Sequence, residues 1–388
     1  MPTPREYLRR YSEIYTVFLP LCAVFGIVYA VLSSLNGSSP VTAPIGPDDV
    51  IGLHRQLIEI PSVTGNEYGV AQFLQTYLTA RGYTVELQPV SEEPPRANVF
   101  AYQGNERSTR VLLTSHIDTV PPYIPHSVHD GYIWGRGSVD AKASVAAQIT
   151  ALQEMTAAKN VSVGDVALLF VVGEETDGIG MTTASAKLGL TWETVIFGEP
   201  TEGKLAVGHK GLLLADMYAT GKASHSGYPE LGIDANYFLV EAAYGLGKLA
   251  LPASPLLGNT TLNVGTLDGG VAANVVSAKA SAGIAVRVAA DMPAVVEKMQ
   301  AVVDAVDNVE LDITLTYDPV ILDYDVPGFD TIACSYGTDV PHLAGKHKKY
   351  LYGPGSILYA HADNERLSED DLYDSVAGYL RLLAHALA

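Results

Sequence analysis

From Asp48 onward the chain alternates between short, uncharged apolar runs and longer amphipathic stretches, and this constrains its fold more than any other feature. Asp48 and Asp49 can cap a helix, VIGLHRQLIEI, that stops at Pro61. Residues 68–81 read as a second amphipathic helix, closed by Gly82. The runs 99–102, 111–113, 166–172 and 195–197 have the length and turn-residue borders of buried strands. An alanine-rich helix, 141–155, lies between two of them. Strands alternating with helices predict an α/β domain with a mostly parallel central sheet flanked by helices. Ligand sites in such domains form at the carboxyl ends of strands.

The pattern changes after Gly203. Strand 212–219, helix 235–249, strands 260–267 and 278–289, helix 293–306 and strand 309–316 follow in βαββαβ order. That order predicts a small ferredoxin-like α+β sandwich. A chain of 388 residues favours more than one domain. The expected division is an N-terminal segment 1–47, a catalytic domain in two parts (48–207 and 319–388), and an inserted domain 208–318.

Arg5, Arg9 and Arg10 precede an uncharged run, TVFLPLCAVFGIVYAVLSSL, at 16–35. A run of this length can cross a hydrocarbon core of about 30 Å. The basic residues favour a cytosolic N-terminus and a translocated body, so the run is expected to act as a signal-anchor, with a cleaved signal peptide as the alternative. A linker rich in Ser, Pro and Gly, 36–47, separates it from the first helix. Sequons at Asn36, Asn160 and Asn259 are compatible with glycosylation of a lumenal, vacuolar or extracellular body in the secretory pathway. The formal charge of −19 without a long basic block argues against nucleic acid as a partner. Two cysteines, Cys22 and Cys334, are too few for a cysteine-based zinc site, so any metal must be held by His and carboxylates.

Five polar motifs follow the apolar runs. His116-Ile117-Asp118 suits a metal-bound imidazole whose second nitrogen is held by a carboxylate, although such a pair alone is more often a surface polar pair. Asp140, in GRGSVDAK, can bridge two metals or can cap the helix after it. Glu174 and Glu175 end the strand VALLFVV, where adjacent charges are either solvated or neutralised by a cation. Glu199 sits in FGEPT, and His361 in YAHADNE after the turn Gly353-Pro354-Gly355. Together they suit two zinc ions sharing Asp140, each with one His and one Glu, and a free Glu as general base for a bridging water. The residues alone do not say which glutamate is the base.

These motifs, in this order, resemble the di-zinc aminoacylase and carboxypeptidase family. It includes glutamate carboxypeptidase, acetylornithine deacetylase, succinyl-diaminopimelate desuccinylase and the yeast vacuolar carboxypeptidase S. The resemblance runs from Asp48 to the C-terminus. It implies a zinc-peptidase-like catalytic domain with an inserted lid or dimerisation domain. Two zinc ions per chain, replaceable by cobalt or manganese, would be held by His116 with Glu199 and by Glu175 with His361, Asp140 bridging them. The Asp140–Ala141 peptide is expected to be cis. Asp118 would orient His116, and Glu174 would be the base. His225, in Ala223-Ser224-His225-Ser226-Gly227, resembles the residue that steadies the oxyanion, supplied in many relatives by the partner of a homodimer. Asn274 and Arg287 resemble the pair that grips a substrate carboxylate, with Gly355 and Ser356 as backbone donors; without the resemblance, Arg287 reads as a surface ion pair. The remaining histidines, His54, His126, His129, His209, His342, His347 and His385, read as structural or exposed.

The implied activity is cleavage of an amide bond next to a free carboxylate, in a small peptide or N-acyl amino acid, by attack of a metal-bridging hydroxide. Two alternatives stand beside it: an aminopeptidase of the same fold, and an inactive membrane-tethered binding protein.

Overall fold

The computed structural model describes residues 49–388, so the apolar run, the linker and the Asn36 sequon lie outside the described residues. Helix α1 (Val50–Glu59) opens with the expected cap, Asp49 Oδ1 accepting from Gly52 N at 2.7 Å. Helix α2 (Tyr68–Thr79) and strands β1 (Tyr83–Glu92), β2 (Pro95–Gln103) and β3 (Val111–His116) follow. Next come β4 (Ser127–His129), β5 (Tyr132–Trp134), helix α3 (Lys142–Ala157), β6 (Val166–Val171), α4 (Ile179–Lys187) and β7 (Thr194–Gly198). Strand β8 (Leu205–His209) runs through Lys210 into β9 (Gly211–Thr220).

The central sheet has the order β1-β2-β6-β3-β7-β17, where β17 is Lys348–Tyr352. Its β6-β3-β7-β17 part is parallel, whereas β1-β2 and β2-β6 pair antiparallel. Alternate side chains divide between two cores, as the two-residue period of a strand requires. Val111, Leu113, Leu168 and Phe170 pack with α1, α2, α3 and the last helix, α7 (Glu369–Leu387). Leu112, Ala167, Leu169 and Val171 pack on the other face with Met181, Ala184 and Leu188 at α4. Each such fully buried Val, Leu or Phe contributes about 1.5–3 kcal/mol relative to exposure. Helix α3 is buried on nearly all sides, which its small alanines permit.

The second sheet contains β9, β12 (Thr261–Gly269), β13 (Lys279–Val288) and β14 (Val309–Tyr317), all antiparallel, in the order β12-β13-β9-β14. Helices α5 (Ala235–Leu246) and α6 (Met292–Asp304) cover one face through a separate core that includes Leu239, Met299 and Val303. This is the ferredoxin-like arrangement predicted from the βαββαβ order. The two-residue strands β10 (Ala253–Ser254) and β11 (Gly258–Asn259) form a hairpin in the connection between α5 and β12. Strands β15 (Val320–Ile321) and β16 (Thr331–Cys334) flank β8, and β18 (Arg366–Ser368) joins β5 and β4. Among the described residues no helix is long and apolar enough to cross a membrane. Asn160 and Asn259 are both exposed.

Candidate active site

Three adjacent parallel strands deliver three glutamates and one histidine to one edge. β3 lies between β6 and β7 and ends at His116, in register with Val171. β6 leads through Val172 and Gly173 to Glu174 and Glu175, and Glu199 directly follows β7. Gly173 has φ +79°, and a Cβ there would meet Arg96 Nη2 at 2.8 Å and Ile179 Cγ2 at 2.9 Å. The turn that delivers both glutamates therefore requires glycine. Asp140 precedes α3, but the cap position is Ala141, so the capping role considered for Asp140 is not the one it has. The Asp140–Ala141 peptide is cis, as expected. His361, at φ +62°, sits in the loop before β18.

Two groups of donor atoms result. His116, Asp140 and Glu199 form one, and Asp140, Glu175 and His361 the other, with the atoms of each group within 4.8 Å of one another. His116 Nε2 lies 3.1 Å from Asp140 Oδ1 and 3.8 Å from Glu199 Oε1. His361 Nε2 lies 2.8 Å from Glu175 Oε2 and 3.3 Å from Asp140 Oδ2. Asp140 thus turns one oxygen to each group. Nitrogen and oxygen ligands at about 2.0–2.1 Å from a tetrahedral cation sit about 3.3 Å apart, so these separations suit a metal in each group. Glu174 belongs to neither; its Oε2 is 4.0 Å from His116 Nε2, and its side chain is 14% exposed.

The charges point the same way. Burial, then the neighbouring carboxylates, raise the Glu174 pKa well above the usual range, and burial likewise raises Glu199 and Glu175. Hydrogen bonds to Asp140 and Glu175 push His361 up to about 10. Burial disfavours the His116 imidazolium, but Asp118 and Asp140 outweigh it and raise its pKa. Acids that hold protons beside histidines that hold theirs describe a cluster short of positive charge. Glu175 Oε1 is also buried without a hydrogen-bond partner. Divalent cations would supply that charge.

Asp118, expected to orient His116 through its carboxylate, faces the imidazole chiefly with its backbone. The imidazole Nδ1 lies 3.0 Å from the Asp118 carbonyl oxygen and 3.5 Å from its Oδ1, so the backbone is the closer acceptor. The carboxylate itself accepts from Thr64 Oγ1 at 2.8 Å, Glu174 N at 3.1 Å and Glu175 N at 3.2 Å. It therefore pins the turn carrying both glutamates to the end of β3.

The cavity over the cluster is lined by Asp140, Glu174, Glu175, Glu199 and His361 together with Arg287 of β13. His225 and Asn274 are not among its lining residues. They lie together on the inserted sandwich, both exposed, with His225 bridged to Val275 and Ser226 N donating to Asn274 O at 3.0 Å. Gly355 and Ser356 are likewise outside the lining: Ser356 Oγ donates to Glu202 Oε1 at 3.0 Å, and Ile357 reaches the cavity instead. His209 and His342, read from the sequence as structural or exposed, do line it. His209 Nδ1 donates to the Lys210 carbonyl and Nε2 faces Thr338 Oγ1 at 3.1 Å. Sequence reasoning does not find Asp177 or Asp339, which sit in loops without a periodic pattern. Asp339 is buried, and its Oδ1 has no hydrogen-bond partner.

The parallel part of the sheet, its carboxyl edge and the adjoining loops presenting two His–carboxylate groups that share one aspartate, defines a metallopeptidase-type hydrolase site. The model of peptidase family M20/M25/M40 matches residues 112–385, and the chain belongs to this family. A peptidase M20 domain-containing protein of Schizosaccharomyces pombe is 48% identical over 342 residues, covering 88% of this chain and 85% of that protein. A probable carboxypeptidase of Aspergillus niger is 42% identical over 411 residues, covering 95% and 98%. Among solved structures, a tripeptidase of Staphylococcus aureus shares the fold with a TM-score of 0.74 at 21% identity, covering 88% of this chain and 99% of that one.

Proposed function

We propose that this chain is a two-zinc hydrolase that cleaves an amide bond next to a free carboxylate, as a carboxypeptidase or an N-acyl-amino-acid deacylase. One observation carries the reading: Asp140 offers one oxygen to each of two His–carboxylate groups, with Glu174 beside them and Arg287 on the wall of the same cavity. His116, Asp140 and Glu199 would hold one ion, and Asp140, Glu175 and His361 the other. Bound there, the ions would activate a water and polarise the scissile carbonyl. Glu174, outside both groups, takes the proton from the attacking water and returns it to the leaving nitrogen. Arg287 presents a planar fork that pairs with a substrate carboxylate and so sets the register of the scissile bond. The relatives named probable carboxypeptidases support this choice.

His225 and Asn274 are exposed and do not line their own chain's cavity, which supports their serving the partner of a homodimer. An exposed apolar stripe on α5, Tyr237, Val240 and Tyr244, lies on the same sandwich as the edge strand β12 and fits such contact. The body would lie on the lumenal side of a membrane, held by the 16–35 run; the exposed Asn160 and Asn259 suit glycosylation there. A second reading, an aminopeptidase, draws on Asp177 and Asp339, acids on the cavity wall suited to a free amine.

The test is metal content and hydrolysis of dipeptides and N-acyl amino acids, each with a free or amidated carboxyl, by the full chain and its Glu174→Gln variant. The reading expects about two zinc ions per chain and activity that requires both the free carboxylate and Glu174. Activity that ignores the carboxylate but requires a free amine would favour the second reading, and an absence of bound metal would sink both.

A further inference from the structure

The GRG of GRGSVDAK and the final glutamate of YAHADNE have no role in the reaction just described, yet the structure joins them. Glu365 Oε1 accepts from three amides of one loop: Gly137 N at 2.9 Å, Val139 N at 3.1 Å and Asp140 N at 3.3 Å. Its Oε2 accepts from Arg136 Nη1 at 2.6 Å. Arg136 Nη1 also reaches the Ala362 carbonyl at 3.3 Å, and Gly135 N donates to the Glu365 carbonyl at 3.3 Å. Both side chains are buried, 2% and 1% exposed.

A buried ion pair adds little net stability over an apolar pair of the same volume, so what this one supplies is geometry. One carboxylate holds the loop ending at Asp140 against the loop that begins at His361. These loops carry two of the three donors of the second group, Asp140 and His361. The first group keeps two donors at strand ends, His116 and Glu199, which the clasp does not touch.

We infer that Glu365 is a positioning residue that sets the spacing between Asp140 and His361, and with it the affinity of the Asp140–Glu175–His361 group for its cation. The inference rests on the two-cation reading above. Glu365→Asp keeps the charge but withdraws the carboxylate by one methylene, about 1.5 Å. Glu365→Gln keeps the length but turns an amide donor towards either the loop amides or Arg136.

The experiment titrates the metal-free full chain with Zn²⁺ by calorimetry, and with Co²⁺ by electronic absorption, for the wild type and both variants. In each variant the first equivalent should bind within about threefold of wild type. The second should weaken about 10–100-fold, the usual range for losing a residue that orients a metal ligand. At limiting metal, kcat should fall with KM unchanged, and excess metal should restore it. Unchanged affinity for both equivalents in either variant that folds overturns the inference. So does equal weakening of both together with a lower unfolding temperature of the metal-free protein, because that is a general structural role. A wild type that binds fewer than two equivalents refutes the two-cation reading itself. Should neither glutamate variant fold, Arg136→Lys, which loosens the clasp from the opposite side, is read by the same criteria.

Discussion

Replacing Asp118 by asparagine separates two jobs that one carboxylate performs. Oδ1 accepts from Glu174 N, while Oδ2 accepts from Glu175 N and Thr64 Oγ1, in a side chain that is 0% exposed. Asparagine offers a single oxygen, so either way round its NH2 faces a backbone N–H. The lost charge-assisted bond costs about 1.5–3 kcal/mol. The surviving bonds weaken by about half as their acceptor becomes neutral. Relief from burying a charge offsets part of this, leaving a net cost of about 3 kcal/mol. Urea unfolding of the metal-free protein should show this as a lower midpoint at unchanged slope. His116 keeps its 3.0 Å contact to the Asp118 carbonyl, so metal content should be retained while kcat falls at least about tenfold through the loosened Glu174 turn. A stability change under about 0.5 kcal/mol with full kcat would refute the anchoring argument. Loss of metal at unchanged stability would mean that Asp118 acts on His116 alone.

The ion pair between Arg96 and Glu67 is bidentate, at 2.9 and 2.7 Å, and the Glu67 side chain is 0% exposed. Arg96→Met should cost about 3–5 kcal/mol by stranding that charge, and adding Glu67→Gln should recover most of it; a double variant no more stable than the single one contradicts this. His54 is held near pKa 3 by burial and then by the charges of His126 and Lys142. Its folded pKa lies below its unfolded one, so its contribution is complete above about pH 6.5 and is lost as pH falls from there towards 3, by about 2 kcal/mol at pH 5. His54→Phe should therefore flatten the decline of the urea midpoint between pH 7 and 5, and a parallel decline would count against it. Chelation should lower the unfolding temperature by leaving Asp140, Glu174, Glu175 and Glu199 without a cation, and zinc at about 100 times its Kd should restore about 2.7 kcal/mol. An unfolding temperature indifferent to both chelator and zinc would exclude a resident metal.

What could be read from the sequence follows from where the information lies. His116, Glu174, Glu175 and Glu199 are legible because each follows a short apolar run by one to three residues, and such a run bounded by turn residues reads as a buried strand whose end is an edge of the sheet. The inserted sandwich is legible because its strands alternate with a period of two and its helices do not. Strand direction has no such trace: β2 is as apolar as β3, yet it runs antiparallel to β6. Strands as short as β8 and β18 carry too few residues to show a period. Asp339 reaches the cavity only because distant segments fold together, and nothing beside it in the chain reports that. Glu365 is the sharpest case. Its partners at Gly137, Val139 and Asp140 lie 228 to 225 residues away, and it binds their backbone amides. Every residue but proline carries that donor, so no choice of side chain at 137–140 can mark the contact. Arg136 is the one partner of complementary residue type, but it lies 229 residues away and nothing in the sequence pairs it with this glutamate, so only the folded geometry distinguishes Glu365 from a loop charge.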